Sequence, residues 1–164
     1  MRSWKWYVLA LFVVASVAGL AGGAWWWRHT SRPEYRLRRG QDALRRGDRD
    51  EAERYAQLLL ADGQADRAHL LRGEALFRQK QYDRAIAELN RIRSEGELRV
   101  DAALLLGQCL LLQNRYEEAE RALQFVVRSR ADSADAHRCL AWIYHDQGAE
   151  MRAVEHAEQW GRLE

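Results

Sequence analysis

DAALLLGQCLLLQNRYEEAERALQFVVRSRADSA, residues Asp101–Ala134, decides how the chain folds. Two apolar-periodic runs flank the polar turn Gln113-Asn114-Arg115, and the spacing inside this stretch recurs on both sides of it. Gly107 has counterparts at Gly40 and Gly73 and a small substitute at Ala141, in steps of 33, 34 and 34 residues. Ala119 has counterparts at Ala52, Ala85 and Ala153 with the same steps. Two independent small-residue ladders with one period mark a helix-turn-helix unit repeated four times. One such hairpin cannot bury its apolar face alone, so the units must stack.

The 164 residues, 48% apolar and 30% charged with one proline, suit a helical folded chain. Net charge is +2, unevenly spread: residues 40–164 carry 19 Arg and Lys against 23 Asp and Glu, a net of −4. A nucleic-acid-binding body would need a basic face of its own, so no nucleic-acid partner is expected. Cys109 and Cys139 fit no metal or haem spacing and fall on first helices of neighbouring repeats, where a free cysteine acts as a small buried hydrophobe.

At the N-terminus, Arg2 and Lys5 precede YVLALFVVASVAGLAGGAWWW, residues 7–27, a run free of charge. At about 1.5 Å per residue it matches the roughly 30 Å hydrocarbon core of a bilayer. Trp and Tyr bracket it at both ends, as interfacial belts do. The expectation is a retained single-pass signal-anchor over residues 1–27. A cleaved signal peptide, with Gly22-Gly23-Ala24 as its cleavage site, is the competing reading. The arginines after the run would hold the repeats inside, whereas a basic signal-anchor more often exports its C-terminal domain. An exported, periplasm-like location is expected if the source is bacterial. Gly19 and Gly23 form a GxxxG that another helix could approach, a match that is cheap in so small-residue-rich a run.

Residues 28–33 then form a polar linker, and residues 34–164 an array with repeats at about 34–66, 67–100, 101–134 and 135–164. The expected helices are Glu34–Arg46 and Arg49–Ala61, Ala65–Gln79 and Tyr82–Arg93, Val100–Gln113 and Tyr116–Arg130, then Ala134–Asp146 and Glu150–Trp160. Asp132-Ser133 offers an N-cap for the fourth repeat. Gly73, Leu76, Ala85, Leu89 and Ile92 form a core set that Gly107, Leu110, Ala119, Leu123 and Val126 repeat.

Leu106-Gly107 with Leu110, Tyr116 and Ala119, and Leu140-Ala141 with Tyr144, Gly148 and Ala153, fall on the motif positions of the tetratricopeptide repeat, which residues 34–160 resemble. Tyr82-Asp83-Arg84-Ala85 and Tyr116-Glu117-Glu118-Ala119 resemble the opening of that family's second helix. The chain departs from the pattern in lacking the proline at repeat ends, in Arg39 at a usually apolar position and in His137 where an aromatic is common. The fold class the resemblance implies is all-α: a right-handed α-solenoid of four repeats, here preceded by the single transmembrane helix.

Such arrays generally bind partner proteins along a concave face lined by first helices. Carried over by position, the lining is Leu37, Gln41 and Leu44, then Leu70, Glu74 and Phe77, then Leu104, Gln108 and Leu111, then Arg138, Trp142 and His145. Family members that clamp a carboxylate use Lys and Asn there, which this chain lacks, so the expected ligand is an apolar or amphipathic protein segment. Self-association through the same apolar face is a second expectation, and burial within the chain a third. On a larger scale the chain is expected to be a membrane-tethered scaffold. Its alternatives are the non-catalytic targeting or assembly part of a bigger complex, and an architectural homo-oligomer.

No catalytic reading competes. His29, His69, His137, His145 and His156 form no HExxH or ligand cluster in sequence, and no GxSxG, P-loop or strand-borne GxGxxG occurs. Paired acids such as Asp50-Glu51 and Glu117-Glu118 open second helices, where the helix dipole favours them. Neither metal nor cofactor is expected, and the chain is not expected to be an enzyme.

Overall fold

In a computed structural model that describes residues 33–163, the chain forms eight α-helices and, among the described residues, no strand. They are α1 (Pro33–Arg46), α2 (Arg49–Ala61), α3 (Ala65–Arg78), α4 (Tyr82–Leu89), α5 (Glu97–Leu112), α6 (Tyr116–Ser129), α7 (Ala134–Asp146) and α8 (Glu150–Leu163). The expected anchor, residues 1–27, and the linker up to residue 32 lie outside the described residues. Among those described, no helix is long and apolar enough to cross a membrane.

Each odd-numbered helix pairs with the even-numbered helix that follows, and each hairpin packs on the next. First helices also touch first helices, α1 on α3, α3 on α5 and α5 on α7, whereas second helices do not touch one another. A closer inner layer and a splayed outer layer make a curved stack. Its concave side is therefore the row of first helices.

The small-residue ladders are where helices meet. A Cβ placed on Gly107 would stand 2.7 Å from Leu123 Cγ, and one on Gly73 2.8 Å from Leu89 Cδ2, so hydrogen at these positions lets α5 and α6, and α3 and α4, approach. Ala52, Ala85 and Ala119 are buried to 2% exposure or less. Leu59, Leu71, Leu123, Leu140 and Ile143 fill the space around the small residues. Full burial of each such side chain contributes about 1.5–3 kcal/mol.

A third ladder sits in the turns. Gly47, Lys80, Asn114 and Gly148 occupy equivalent positions and all have positive φ, 82°, 59°, 60° and 71°. Each first helix ends the same way: the amide just after the positive-φ residue bonds back, as Asp48 N to Ala43 O, Gln81 N to Leu76 O, Arg115 N to Leu110 O and Ala149 N to Tyr144 O. These are Schellman closures that use the left-handed residue to satisfy terminal carbonyls.

The boundaries of α2 and α7 coincide with the sequence expectation, while α4 stops four residues early. Asp66, in the first turn of α3, accepts from Arg93 N at 3.1 Å and Ser94 N at 2.7 Å, which draws these amides off the helical ladder. Burial of Asp66 opposes ionisation, but those two amide donors outweigh it and hold its carboxyl below the ordinary range. The chain then turns through Gly96 and α5 begins at Glu97, three residues before the expected Val100. Glu97 and Asp101 both pair with Arg130, which ties the start of α5 to the end of α6. Ser133 is the N-cap of α7 as expected, yet its side chain makes no capping bond; Asp48 is the cap that does, accepting from Glu51 N at 2.9 Å.

Candidate functional site

The expected lining residues separate into three groups. Leu44 and Leu70 are 5% and 1% exposed and belong to the core. Leu44 packs with Ala52, Ala56, Leu59 and Leu71 between the first and second hairpins, and Leu70 joins the cluster that runs through the last three. The family's lining positions, carried over to α1 and α3, placed them on a groove face, but the curved stack closes over that edge of each helix. Leu37 is half-buried and packs against both clusters, so it bridges them more than it lines a surface.

Five more come together. Gln41, Glu74, Phe77, Leu104 and Gln108 line a concave hollow of about 440 Å³ together with Arg78, Asp101, Leu105 and Asp135. Every one of these stands on a first helix, so α1, α3, α5 and α7 build the hollow between them. Gln41 Nε2 donates to Glu74 Oε1 at 2.7 Å across the first seam. Burial pushes the Glu74 carboxyl up, and the Gln41 bond opposes that shift only in part. Phe77 is held by Tyr82, ring centroids 5.8 Å apart. Asp101 is paired with Arg130 at 2.9 Å and Asp135 with Arg138 at 2.7 Å. The hollow thus sets apolar walls from Phe77, Leu104 and Leu105 beside a half-buried acid and two amides.

The remaining four, Leu111, Arg138, Trp142 and His145, lie apart from it. They line a second hollow of about 840 Å³, between α7 and α8 at the end of the array, with Ala141, Ala153, Val154, Ala157 and Trp160 among the other walls. Trp142 is 49% exposed and stands against Tyr116, ring centroids 5.6 Å apart. Arg138 and His145 are exposed.

One pair escaped the sequence reading. His137 Nδ1 lies 2.9 Å from His156 Nδ1, and His137 Nε2 lies 3.0 Å from the carbonyl of Ala131. A carbonyl only accepts, so His137 donates through Nε2 and accepts at Nδ1 from the Nδ1–H of a neutral His156. His156 also stacks on Tyr144, whose hydroxyl donates to Glu120 at 2.8 Å. Burial foremost, then the neighbouring His137, hold His156 below its ordinary value, with Glu155 opposing. The pair was findable: His69 pairs with Glu88 at 2.8 Å, and adding two steps of 34 to both gives His137 and His156.

Among the described residues no group of three or more His, Cys, Asp or Glu could hold a metal ion. Cys109 is fully buried, and that burial pushes its thiol up to about 12; Cys139 is raised by the same cause. Buried, protonated thiols are poor nucleophiles.

Comparison with known proteins agrees with this architecture. The crystal structure of MamA superposes with a TM-score of 0.66 at 19% identity, covering 81% of this chain and 78% of that one. MamA 41-end from Desulfovibrio magneticus RS-1 gives 0.63 at 22%, covering 84% and 79%. The MamA RS-1 ArsTM double mutant gives 0.65 at 22%, covering 93% and 92%. At such identities the likeness is one of fold. No curated protein sequence matches the chain. The family profile described as "Anaphase-promoting complex, cyclosome, subunit 3" matches residues 45–126, half of the chain, and a "Tetratricopeptide repeat" profile matches residues 104–162. With these repeat profiles laid over four stacked hairpins, the chain belongs to the tetratricopeptide-repeat proteins.

Proposed function

We propose that the chain is a non-catalytic scaffold that binds an amphipathic protein segment in the concave hollow and is tethered to a membrane through residues 7–27. The observation that carries the binding is the hollow built from four successive first helices, with Phe77, Leu104 and Leu105 facing Glu74, Gln41 and Gln108. A purely apolar segment would strip water from the half-buried Glu74 carboxyl and offer it no partner beyond Gln41, which burial penalises. A segment with one apolar side chain and a nearby donor, Lys, Arg or an amide, satisfies both walls. Resemblance to partner-binding repeat arrays supports the scaffold role. The tether and an exported repeat domain rest on the uncharged 21-residue run and its flanking aromatics.

The test is crosslinking and capture from membranes with the full chain, wild type against Phe77→Ser/Leu104→Ser. Both residues are only half-buried, so the double variant is expected to keep the helical circular dichroism of the wild type. Loss of one specific captured protein with folding retained is the expected result. Capture that persists unchanged in the folded double variant would remove the concave hollow from the function.

A further inference from the structure

The outer layer of the stack carries a hollow of its own. Second helices do not touch one another, and between α4 and α6 a space of about 690 Å³ opens, floored by α5. Its position follows from the early end of α4: the turn that Asp66 holds through the Arg93 and Ser94 amides brings Ile92 and Arg93 to the rim. Ile92, Leu106, Leu110 and Phe125 supply apolar floor, while Arg93, Arg99 and Arg121, all exposed, stand around it. Among the described residues no ion pair engages any of these three guanidinium groups, whereas the nearby Arg91, Arg115 and Arg130 are all paired. Arg99 lies over the Phe125 ring, its guanidinium carbon 5.6 Å from the centroid. That contact holds the cation in place and leaves its in-plane N–H groups for an acceptor.

The corresponding hollow one seam earlier, about 430 Å³ between α2, α3 and α4, is balanced in charge. Its walls set Arg49, Arg72 and Arg84 against Asp50, Glu53 and Glu88, and Arg72 pairs with Glu53. One period on, the positions of Glu53 and Glu88 are held by Ile86 and Ala122. The carboxylate that does line the second hollow, Glu118, is already engaged by Arg115 through two bonds of 2.8 Å. Three unanswered cations thus surround an apolar floor in a body, residues 40–164, that carries 19 Arg and Lys against 23 Asp and Glu. Guanidinium groups of this kind select anionic oxygens, which they bind two at a time. The floor selects an apolar side chain beside the anion. Residues 1–32 of the chain contain no Asp or Glu and so bring no anion to the site. An anionic bilayer surface would have to approach the whole net-negative body, whereas a short acidic segment meets the hollow alone.

We propose that the hollow between α4, α5 and α6 is a docking site for an acidic amphipathic segment of a partner protein. Carboxylates of the segment pair with Arg93, Arg99 and Arg121, and an apolar side chain between them packs on Leu106 and Phe125. An acidic segment without that side chain leaves the floor wet, and an apolar segment without acids leaves the three cations unpaired, so both features are required together. Because the ion pairs form at an exposed rim, binding weakens as salt is added. Helix α5 serves two faces: Leu104 and Gln108 line the concave hollow, and Leu106 and Leu110 line this one. The outer site does not rest on the concave reading.

The experiment uses the full chain and a fluorescein-labelled peptide of repeated Glu-Glu-Leu-Leu units, with a sister peptide that carries Gln in place of Glu. The acidic peptide should give saturable anisotropy that weakens with salt, and the sister should bind about tenfold more weakly or worse. Arg99→Gln/Arg121→Gln should weaken the acidic peptide about tenfold or more, while Arg54→Gln, at an exposed arginine on α2, should leave it unchanged. Both rim arginines are exposed, and thermal melts check that the double variant folds. A benzophenone at the peptide's central Leu should label α5 or α6. Phe77→Ser/Leu104→Ser should leave this binding intact, so failure of the concave reading and failure of this one are separable. Absence of saturable binding, equal binding of the sister peptide, or indifference to the arginine double variant overturns the proposal. So does self-association of the full chain that the double variant abolishes, because a second copy would then be the occupant. Displacement of the peptide by inorganic phosphate or short-chain phosphatidylserine at the peptide's own concentration also overturns it, in favour of a small anion or a lipid headgroup.

Discussion

Gly107→Ala followed by its double-mutant cycle with Leu123→Ala tests the packing logic of the array most directly. A Cβ on Gly107 would lie 2.7 Å from Leu123 Cγ and 2.8 Å from its Cδ2, where ordinary contact begins at 3.4 Å, so Leu123 must withdraw by about 0.7 Å. Leu123 is 0% exposed and has no free space to enter. Overpacking of this kind costs about 1–3 kcal/mol. Alanine returns about 1 kcal/mol of helix propensity in the middle of α5. The net expectation is a loss of about 1 kcal/mol, or about 2–4 °C in melting temperature for a chain of this size. Leu123→Ala alone should cost about 2–5 kcal/mol through the cavity it leaves. In the double variant the new methyl meets no leucine and fills part of that cavity, so the combined loss should fall short of the sum by about 1–3 kcal/mol. The fourth repeat already carries this combination: Ala141 stands where Gly107 does, and Ala157 where Leu123 does. Urea titration of the four proteins measures the cycle. Stabilisation by Gly107→Ala, or single-variant losses that simply add, would refute the close-approach account of the ladder.

His156 supplies a pH test: with its folded pKa held below the ordinary 6.5, the unfolded chain takes up a proton that the folded chain refuses. Stability should therefore fall as pH drops from 7 through 6.5 and below, and His156→Asn, which keeps a donor toward His137 Nδ1, should flatten that slope in thermal melts; a slope equal to wild type would exclude the pair as its source. The buried thiols supply a kinetic test: with Cys109 pushed up to about 12 and Cys139 also raised, both should react with a thiol reagent at pH 8 far more slowly in buffer than in urea. Rapid labelling of folded protein would contradict their burial.

Period carried most of the fold into the sequence. Steps of 33, 34 and 34 residues placed the helices because each small residue answers a local steric demand, Gly107 against Leu123 or Gly73 against Leu89. The early end of α4 was hidden because its cause is tertiary: Asp66, 27 residues away, takes the Arg93 amide. Leu44 and Leu70 were expected in the groove because the family's lining positions fall on them, and in helices buried on two sides periodicity cannot tell inner face from seam. The division of the expected groove into two hollows was equally hidden. It follows from the curvature of the stack, which no single repeat encodes. The His137–His156 contact, by contrast, was written in the sequence as a repeat of His69–Glu88 and needed only the overlay of one hairpin on another.

The same overlay explains why the fourth repeat concentrates the chemistry. Along the concave column the residues run Gln41, Glu74, Gln108, Trp142, so three polar groups give way to an indole at the last step. On the outer seam, Glu53 gives way through Ile86 and Glu120 to Val154. Both columns are apolar and exposed in the fourth repeat: Trp142 is 49% and Val154 57% exposed. An apolar side chain left exposed costs solubility and returns nothing to folding, so Trp142 on α7 and Val154 on α8 argue for contact and not for drift. Trp142 belongs by register to the concave column and by position to the end hollow.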